Sequence, residues 1–159
     1  MASFPSFLSK QGNALMSYMD GDTYVHDSEA DYCYFYGAQY GIENRVYSNE
    51  GNNIIKLYEA INIHCNQQLD LDTIYVYSEE TNDGYMQSLI PDEWWDKIEG
   101  VYMSPYLRNL LTNGSVATED LFNGDFLRGY VIENRLSKDS VTTELNLFKV
   151  VIITDRSNV

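Results

Sequence analysis

The side chains that could act as a nucleophile or a base are two cysteines and two histidines, Cys33, Cys65, His26 and His64. Cys33 beside His26 across a hairpin would form a thiolate–imidazolium pair, the usual way to activate a thiol. The carboxylates around this pair disfavour a thiolate, and Cys65 falls on an apolar stripe that predicts a place in the core. The sequence also contains no GxSxG, HExxH, P-loop or GxGxxG motif. It therefore predicts a binding protein rather than an enzyme.

The segment Asp20-Gly21-Asp22 resembles the beginning of a calcium-binding loop. An EF-hand loop requires glycine at its sixth position and a bidentate glutamate at its twelfth. Here those positions hold Val25 and Asp31. The sequence therefore predicts solvated turn acids at this segment, with no metal and no cofactor.

Charge is the most informative property of the chain. There are 24 acidic and 10 basic residues among 159, for a formal net charge of -14. Residues 1–100 contain seventeen of the acids and four of the basic residues, so they carry -13 of that charge. Phosphate contacts require clustered lysine and arginine, which argues against direct binding of nucleic acid. Because 44% of the residues are hydrophobic and 14% aromatic, the sequence also argues against disorder.

The acids fall into three clusters, which we predict to contact a partner. They are Asp20, Asp22, Asp27, Glu29 and Asp31; then Glu79, Glu80 and Asp83; then Asp92, Glu93, Asp96 and Glu99. On a helix, Asp92, Asp96 and Glu99 would share one face, where their mutual repulsion is destabilising. The third cluster also contains Trp94 and Trp95, of which one is expected in the core and the other at the partner surface. We assign Trp95 to the partner-binding residues.

The elements that must position these side chains are predicted from hydrophobic spacing. Helical spacing predicts one helix from Ser3 to about Met19, one from about Asn52 to Leu69, and two short helices beginning at Pro91 and Ser104, with a helical turn near residues 118–122. Alternation predicts a hairpin between residues 23–26 and 32–36, with a helix over 32–46 as the rival interpretation. Strands are expected at residues 72–77, 128–136 and 143–154, and the apolar run 148–153 indicates a central strand.

These elements predict an α+β fold in a single domain, residues 1–159. An antiparallel sheet, including a C-terminal hairpin, would pack against several short-to-medium helices. The similar segments Tyr40–Val46 and Tyr130–Leu136 are too short to indicate an internal repeat.

The charge pattern predicts an inhibitor that blocks the basic, nucleic-acid-binding groove of a partner nuclease or effector complex. Phage anti-CRISPR and anti-restriction proteins and the immunity proteins of nuclease toxins share this physical character. No secretory signal or membrane span is expected, so the sequence predicts a cytoplasmic protein, in the host cell if it is viral. Two alternatives stay open: a small enzyme or small-molecule binder with a tyrosine-rich pocket, and a homo-oligomeric assembly protein. The fourteen tyrosines motivate both.

Overall fold

The computed structural model describes residues 7–12, 14–19, 21–26, 33–36, 38–49, 51, 54–78, 85–110 and 124–156. Their regular structure consists of β-strands and one 3-10 turn, Asp92–Trp94. The expectation of an α+β fold with several helices is therefore wrong, because the strands form antiparallel sheets with no α-helix in the described ranges. Within these ranges, no helix has the length and apolar character needed to cross a membrane.

The chain divides into two compact units, which are described separately. The first comprises Met1–Ile42 with Asp139–Glu144, and the second Glu43–Lys138 with Leu145–Val159. In the first unit, β1 (Phe7–Gln11), β2 (Ala14–Met19) and β3 (Asp22–His26) form an antiparallel meander. A second small hairpin joins β4 (Tyr34–Phe35) to β5 (Ala38–Gln39).

The larger sheet of the second unit is built around β7 (Lys56–Cys65). Strands β11 (Val101–Pro105) and β12 (Arg128–Gly129) pair with one edge of β7, and β10 (Asp96–Ile98) extends the sheet beyond β11. Strand β14 (Leu147–Arg156) pairs along the whole opposite edge of β7. The strand order across this sheet is therefore β10, β11, β7 and β14.

The other sheet has the order β6 (Ile42–Ser48), β13 (Val131–Lys138), β8 (Asp70–Tyr77) and β9 (Tyr85–Ile90). Tyr106 connects the two sheets, since its amide donates to the Glu59 carbonyl of β7 at 2.8 Å and its hydroxyl to Asn134 Oδ1 of β13 at 2.9 Å. The core residues come from both sheets. They include Ile61, Ile63, Leu71, Ile74, Val76, Ile90, Ile132 and Leu136.

Strand β7 replaces the helix expected between about Asn52 and Leu69. Its buried apolar residues Ile61, Ile63 and Cys65 alternate, as on a strand with one face in the core. Tyr58 is also buried although it lies three positions before Ile61, because the pairing with β14 shifts register at Glu59. This bulge gives the strand a spacing of three that imitates a helix.

The other expected helices are also absent from the described ranges. Residues 7–12 and 14–19 form the β1–β2 hairpin, in which Gln11 pairs with Ala14 and Gly12 has a φ of 62°. The segment after Pro91 makes only the 3-10 turn before entering β10, and Ser104-Pro105 ends β11 instead of starting a helix. The helical turn expected at 118–122 lies outside the described residues.

Two hairpins were assigned the wrong partners. Strand β3 pairs with β2 rather than with residues 32–36. The two C-terminal strands form no hairpin, because β13 pairs with β8 in one sheet and β14 pairs with β7 in the other. The strand expected at residues 72–77 is confirmed as β8.

Candidate binding surfaces

Most residues of the first two acidic clusters lie outside the described ranges. They are Asp20, Asp27, Glu29 and Asp31 of the first cluster and Glu79, Glu80 and Asp83 of the second. Asp22 is described, as the exposed first residue of β3. Only the third cluster is therefore seen as a group.

The third cluster lies on a hairpin rather than on a helix. Asp92 and Glu93 are exposed on the 3-10 turn, and Asp96 is exposed on β10. Glu99 and Gly100 connect β10 to β11 with φ values of 50° and 82°, the two left-handed residues that a type I′ turn requires. We call residues 92–103 the acidic hairpin.

Trp95 fixes the base of the acidic hairpin. It is 9% exposed and lies in the core, so it is not the surface contact that we expected. Its burial follows from its extended backbone, which turns its side chain away from the neighbouring Asp96. Gln68 Nε2 also donates to the Asp92 carbonyl at 2.9 Å, which ties the 3-10 turn to the residues after β7.

The acidic hairpin contains a single basic residue, Lys97. Its ammonium donates to the Tyr102 hydroxyl at 2.9 Å and lies 4.7 Å from the centre of that ring. Because side chains alternate along a strand, Lys97 points to the opposite side from Asp96 and Ile98. The ion pairs in the described part of the chain join other residues, so they leave the carboxylates of the hairpin unneutralised.

A second surface lies on the outer side of the β6–β13–β8–β9 sheet. We call it the tyrosine–arginine face, formed by Arg45, Tyr47, Tyr75, Tyr77, Tyr85, Glu133 and Arg135. Tyr77 and Tyr85 are directly opposite each other on β8 and β9, and Tyr75 lies opposite Glu133 of β13. The Tyr75 and Tyr85 rings meet edge-on with their centres 4.9 Å apart, and the Arg135 guanidinium carbon lies 4.8 Å from the Tyr75 ring centre. The face combines aromatic rings with charges of both signs.

Glu133 is the centre of this face, although the residue is only 3% exposed. Its carboxylate accepts hydrogen bonds from Arg135 Nε at 2.6 Å, from the Tyr77 hydroxyl at 2.8 Å, and from Tyr47. Burial raises the pKa of the Glu133 carboxyl, but these hydrogen bonds outweigh burial and hold it below its usual value. Burial and the bond to Glu133 raise the pKa of Tyr77 to about 12.

The candidate nucleophiles and bases contact other residues. His26 Nε2 lies 2.7 Å from the Ser17 hydroxyl, and its ring meets Tyr36 edge-on at 5.8 Å. Cys65 is buried as predicted, its thiol donates to the Gln67 carbonyl at 2.8 Å, and burial raises its pKa. Across the residues that the structure covers, no group of three or more histidine, cysteine, aspartate or glutamate side chains could hold a metal ion.

Comparison with known proteins gives no relative: no protein-family model matches the chain, and no curated protein matches it.

The tyrosine–arginine face was missed in the sequence, although the sequence contains a signal for it. Ile42-Glu43-Asn44-Arg45 and Ile132-Glu133-Asn134-Arg135 are identical, and they fall in the neighbouring strands β6 and β13. In each segment a glutamate and an arginine two positions apart form an ion pair. The Arg Nε to Glu Oε1 distance is 2.7 Å in β6 and 2.6 Å in β13. Glutamate and arginine at that spacing lie on one side of a strand, which would have indicated paired surface strands.

Proposed function

We propose that this protein is an acidic inhibitor that occupies the nucleic-acid-binding groove of a basic partner protein. The observation that carries the proposal is the acidic hairpin, where four carboxylates are exposed on a short element and form no ion pair with any residue that the structure describes. Anti-CRISPR, anti-restriction and nuclease-immunity proteins are the functional classes in which an acidic protein inhibits a basic, nucleic-acid-binding one. The nucleases and effector complexes that they inhibit act in the cytoplasm. The carboxylates stand in for phosphates and pair with arginine and lysine of the groove.

The construction of the hairpin favours this use. The buried Trp95 and the bond from Gln68 fix the 3-10 turn, and the pairing with β11 fixes β10. A preorganised surface loses less side-chain and backbone entropy when it binds. Because the charges are exposed, they also steer a basic partner toward the hairpin, which increases the association rate at low salt.

The experiment is competition for a labelled oligonucleotide. A fluorescent DNA or RNA strand is bound to a purified CRISPR effector, a restriction endonuclease and a nuclease toxin in turn, and the protein is titrated in while anisotropy is recorded. We expect the protein to displace the strand from at least one of them. Neutralisation of the hairpin as Asp92→Asn, Glu93→Gln, Asp96→Asn and Glu99→Gln should weaken displacement by about fourfold to several hundredfold, since four exposed pairs at about 0.2–1 kcal/mol each sum to about 0.8–4 kcal/mol.

The control variant makes the same change in charge elsewhere on the surface. Glu59, Asp72, Asp125 and Asp139 are exposed, and neutralising all four leaves the hairpin intact. This variant should displace the oligonucleotide nearly as well as the wild type. Equal weakening by both variants would mean that only net charge matters, and no displacement of any strand at low salt would refute the inhibitor proposal.

The tyrosine–arginine face supports a second binding role. Tyr47, Tyr77 and Tyr85 are exposed there beside Arg45, and tyrosine and arginine are enriched where proteins bind each other. We propose that this face supplies contacts that resist salt. Tyr85→Ala should therefore weaken partner binding by a similar factor at low and high salt, whereas the hairpin variant should lose its effect as salt rises. An unchanged affinity for Tyr85→Ala would contradict this role of the face.

A further inference from the structure

Strand β14 is an edge strand of unusual composition. The apolar run 148–153 predicts a strand in the middle of a sheet, but in the described part of the chain β14 pairs with β7 alone. Phe148 is 75% exposed and Ile153 39% exposed, while Val150, Val151 and Ile152 are only half-buried. A long apolar edge presents unpaired amides and carbonyls and is a template for another strand.

The register with β7 shows which side of the sheet each residue occupies. Val150 and Ile152 lie opposite the buried Ile63 and Ile61, so they point to the core side. Side chains alternate, so Lys149, Val151 and Ile153 point to the outer side. Asp155 lies opposite the half-buried Leu57, and it is also on the outer side, because the extra residue of the bulge, Glu59, belongs to β7 and leaves the alternation along β14 unbroken.

We propose that β14 pairs with β14 of a second copy of this chain, antiparallel and centred on Ile152. In this register Lys149 lies opposite Asp155 of the other copy, and the contact occurs twice by symmetry. Val151 lies opposite Ile153 on the same outer side, and Ile152 lies opposite itself on the core side. The two five-stranded sheets then form one continuous sheet with a shared inner face.

The positions of Lys149 and Asp155 favour this register, and they favour a second copy of the chain as the strand that pairs with β14. Shifting the strands by two residues in either direction keeps the sides of the sheet matched but places Lys149 against Ile153, or Asp155 against Val151. A parallel arrangement would place Lys149 against Lys149, and like charges directly opposite are destabilising. The antiparallel pairing centred on Ile152 is therefore the one that turns both charges into ion pairs.

The net charge of -14 per chain does not oppose this contact strongly. Strand β14 contains Lys149, Arg156 and Asp155, so it is a basic segment of an acidic protein. The acidic hairpin lies at the opposite edge of the same sheet, three strand spacings away, or about 14 Å. In the dimer the two hairpins would be about 34 Å apart, several times the Debye length of about 8 Å at physiological salt.

The test is sedimentation velocity of the full chain over a wide range of concentrations. We expect the mass to rise from 18.3 kDa to twice that value. The single charge reversals Lys149→Asp and Asp155→Lys should each weaken the dimer by at least about tenfold, and the double variant Lys149→Asp/Asp155→Lys should restore it. Lys10→Asp, which makes the same change on exposed β1, is the control and should leave the dimer intact. Circular dichroism verifies that each variant is folded.

A cross-linking experiment tests the register. In a Cys33→Ser background, Val151→Cys and Ile153→Cys proteins are prepared separately and oxidised alone and as a mixture. Because Val151 faces Ile153 of the other copy, a disulfide-linked dimer should form in the mixture and far less in either protein alone. A monomer at every concentration would refute the dimer. A dimer that is insensitive to both charge reversals, or equal cross-linking in all three samples, would refute the proposed pairing.

Discussion

At the scale of single residues, Glu133 organises the tyrosine–arginine face. Its buried carboxylate accepts hydrogen bonds from Arg135 and Tyr77, on two adjacent strands, and from Tyr47 on a third. A buried carboxylate with fewer partners would be costly, because burial disfavours the charged form. The low pKa of Glu133 shows that its hydrogen bonds exceed this cost, so the network should stabilise the fold.

The first prediction concerns pH. The folded pKa of Glu133 lies below its ordinary value of 4.5, so its contribution to stability is complete above that value and is lost as pH falls through the folded pKa. Glu133→Gln should lower the free energy of unfolding by about 1–3 kcal/mol at neutral pH. The variant should also lose less stability than the wild type when pH falls below 4.5. Urea denaturation at several pH values measures both effects.

The control for this prediction is Glu43→Gln, the same change in the exposed ion pair of β6. Exposed pairs contribute little, so stability should change by less than about 1 kcal/mol. A Glu133→Gln variant with the stability and pH dependence of Glu43→Gln would show that the buried network is not stabilising.

A second prediction compares two buried tyrosines. The Tyr58 hydroxyl is buried with no hydrogen-bond partner among the described residues, and burial raises its pKa to about 12. The Tyr106 hydroxyl instead donates to Asn134. Tyr58→Phe should therefore leave stability unchanged or raise it by about 1 kcal/mol, whereas Tyr106→Phe should lower it by about 1–2 kcal/mol. Thermal denaturation of the two variants checks the sign, and destabilisation by Tyr58→Phe would point to a partner for that hydroxyl.

At the scale of elements, the sequence predicts strands well where buried residues simply alternate. The β-branched and aromatic run before Tyr77 predicts β8, and the strands near residues 128–136 and 143–154 are confirmed as β12–β13 and β14. The central position expected for the run 148–153 is wrong, because β14 pairs with β7 alone in the described part of the chain. Strand β7 was mistaken for a helix because its bulge at Glu59 breaks the alternation. The pairing of strands distant in sequence could not be predicted, since alternation specifies a side of the sheet but not a neighbour.

The acidic hairpin illustrates the same limit. Composition alone predicts that its carboxylates are exposed, and the structure confirms this. The spacing of Trp95 and Ile98 fits one face of a helix, but on the strand they point to opposite sides. The turn signal was Glu99-Gly100, which is weaker than Asn-Gly because glutamate is disfavoured at positive φ.

A third prediction follows from that turn. Glu99 has a φ of 50°, which asparagine tolerates better than glutamate. Glu99→Asn should therefore stabilise the protein by about 0.5–1 kcal/mol while removing one carboxylate from the proposed contact surface. Asp96→Asn also removes one negative charge, but it does not relieve the backbone strain at Glu99. Thermal denaturation and oligonucleotide competition together should show weaker partner binding for both variants and higher stability for Glu99→Asn alone.

Similar stability of the Glu99→Asn and Asp96→Asn variants would contradict the strained turn. Unchanged competition by both would instead remove these two carboxylates from the contact surface. The two readouts therefore separate the role of Glu99 in the fold from its role in binding.

At the scale of the whole molecule, the larger sheet has two chemically different edges. The acidic hairpin forms one edge, and the apolar strand β14 forms the other. Among the described basic residues, Lys97 is engaged with Tyr102 and Arg135 with Glu133, so neither forms an ion pair with a carboxylate of the hairpin. The four carboxylates and one lysine of the hairpin carry -3 of the net charge of -14, and this local concentration of charge is the basis of the proposed function.

The most direct test of that function is the salt dependence of the association rate with the partner identified by competition. Stopped-flow fluorescence would measure the rate for the wild type, the neutralised hairpin and the variant neutralised at Glu59, Asp72, Asp125 and Asp139. We predict a steep fall with salt for the wild type and the control variant, and a slower rate with a clearly shallower salt dependence for the neutralised hairpin. Equal salt slopes for the wild type and the neutralised hairpin would contradict binding through the acidic hairpin.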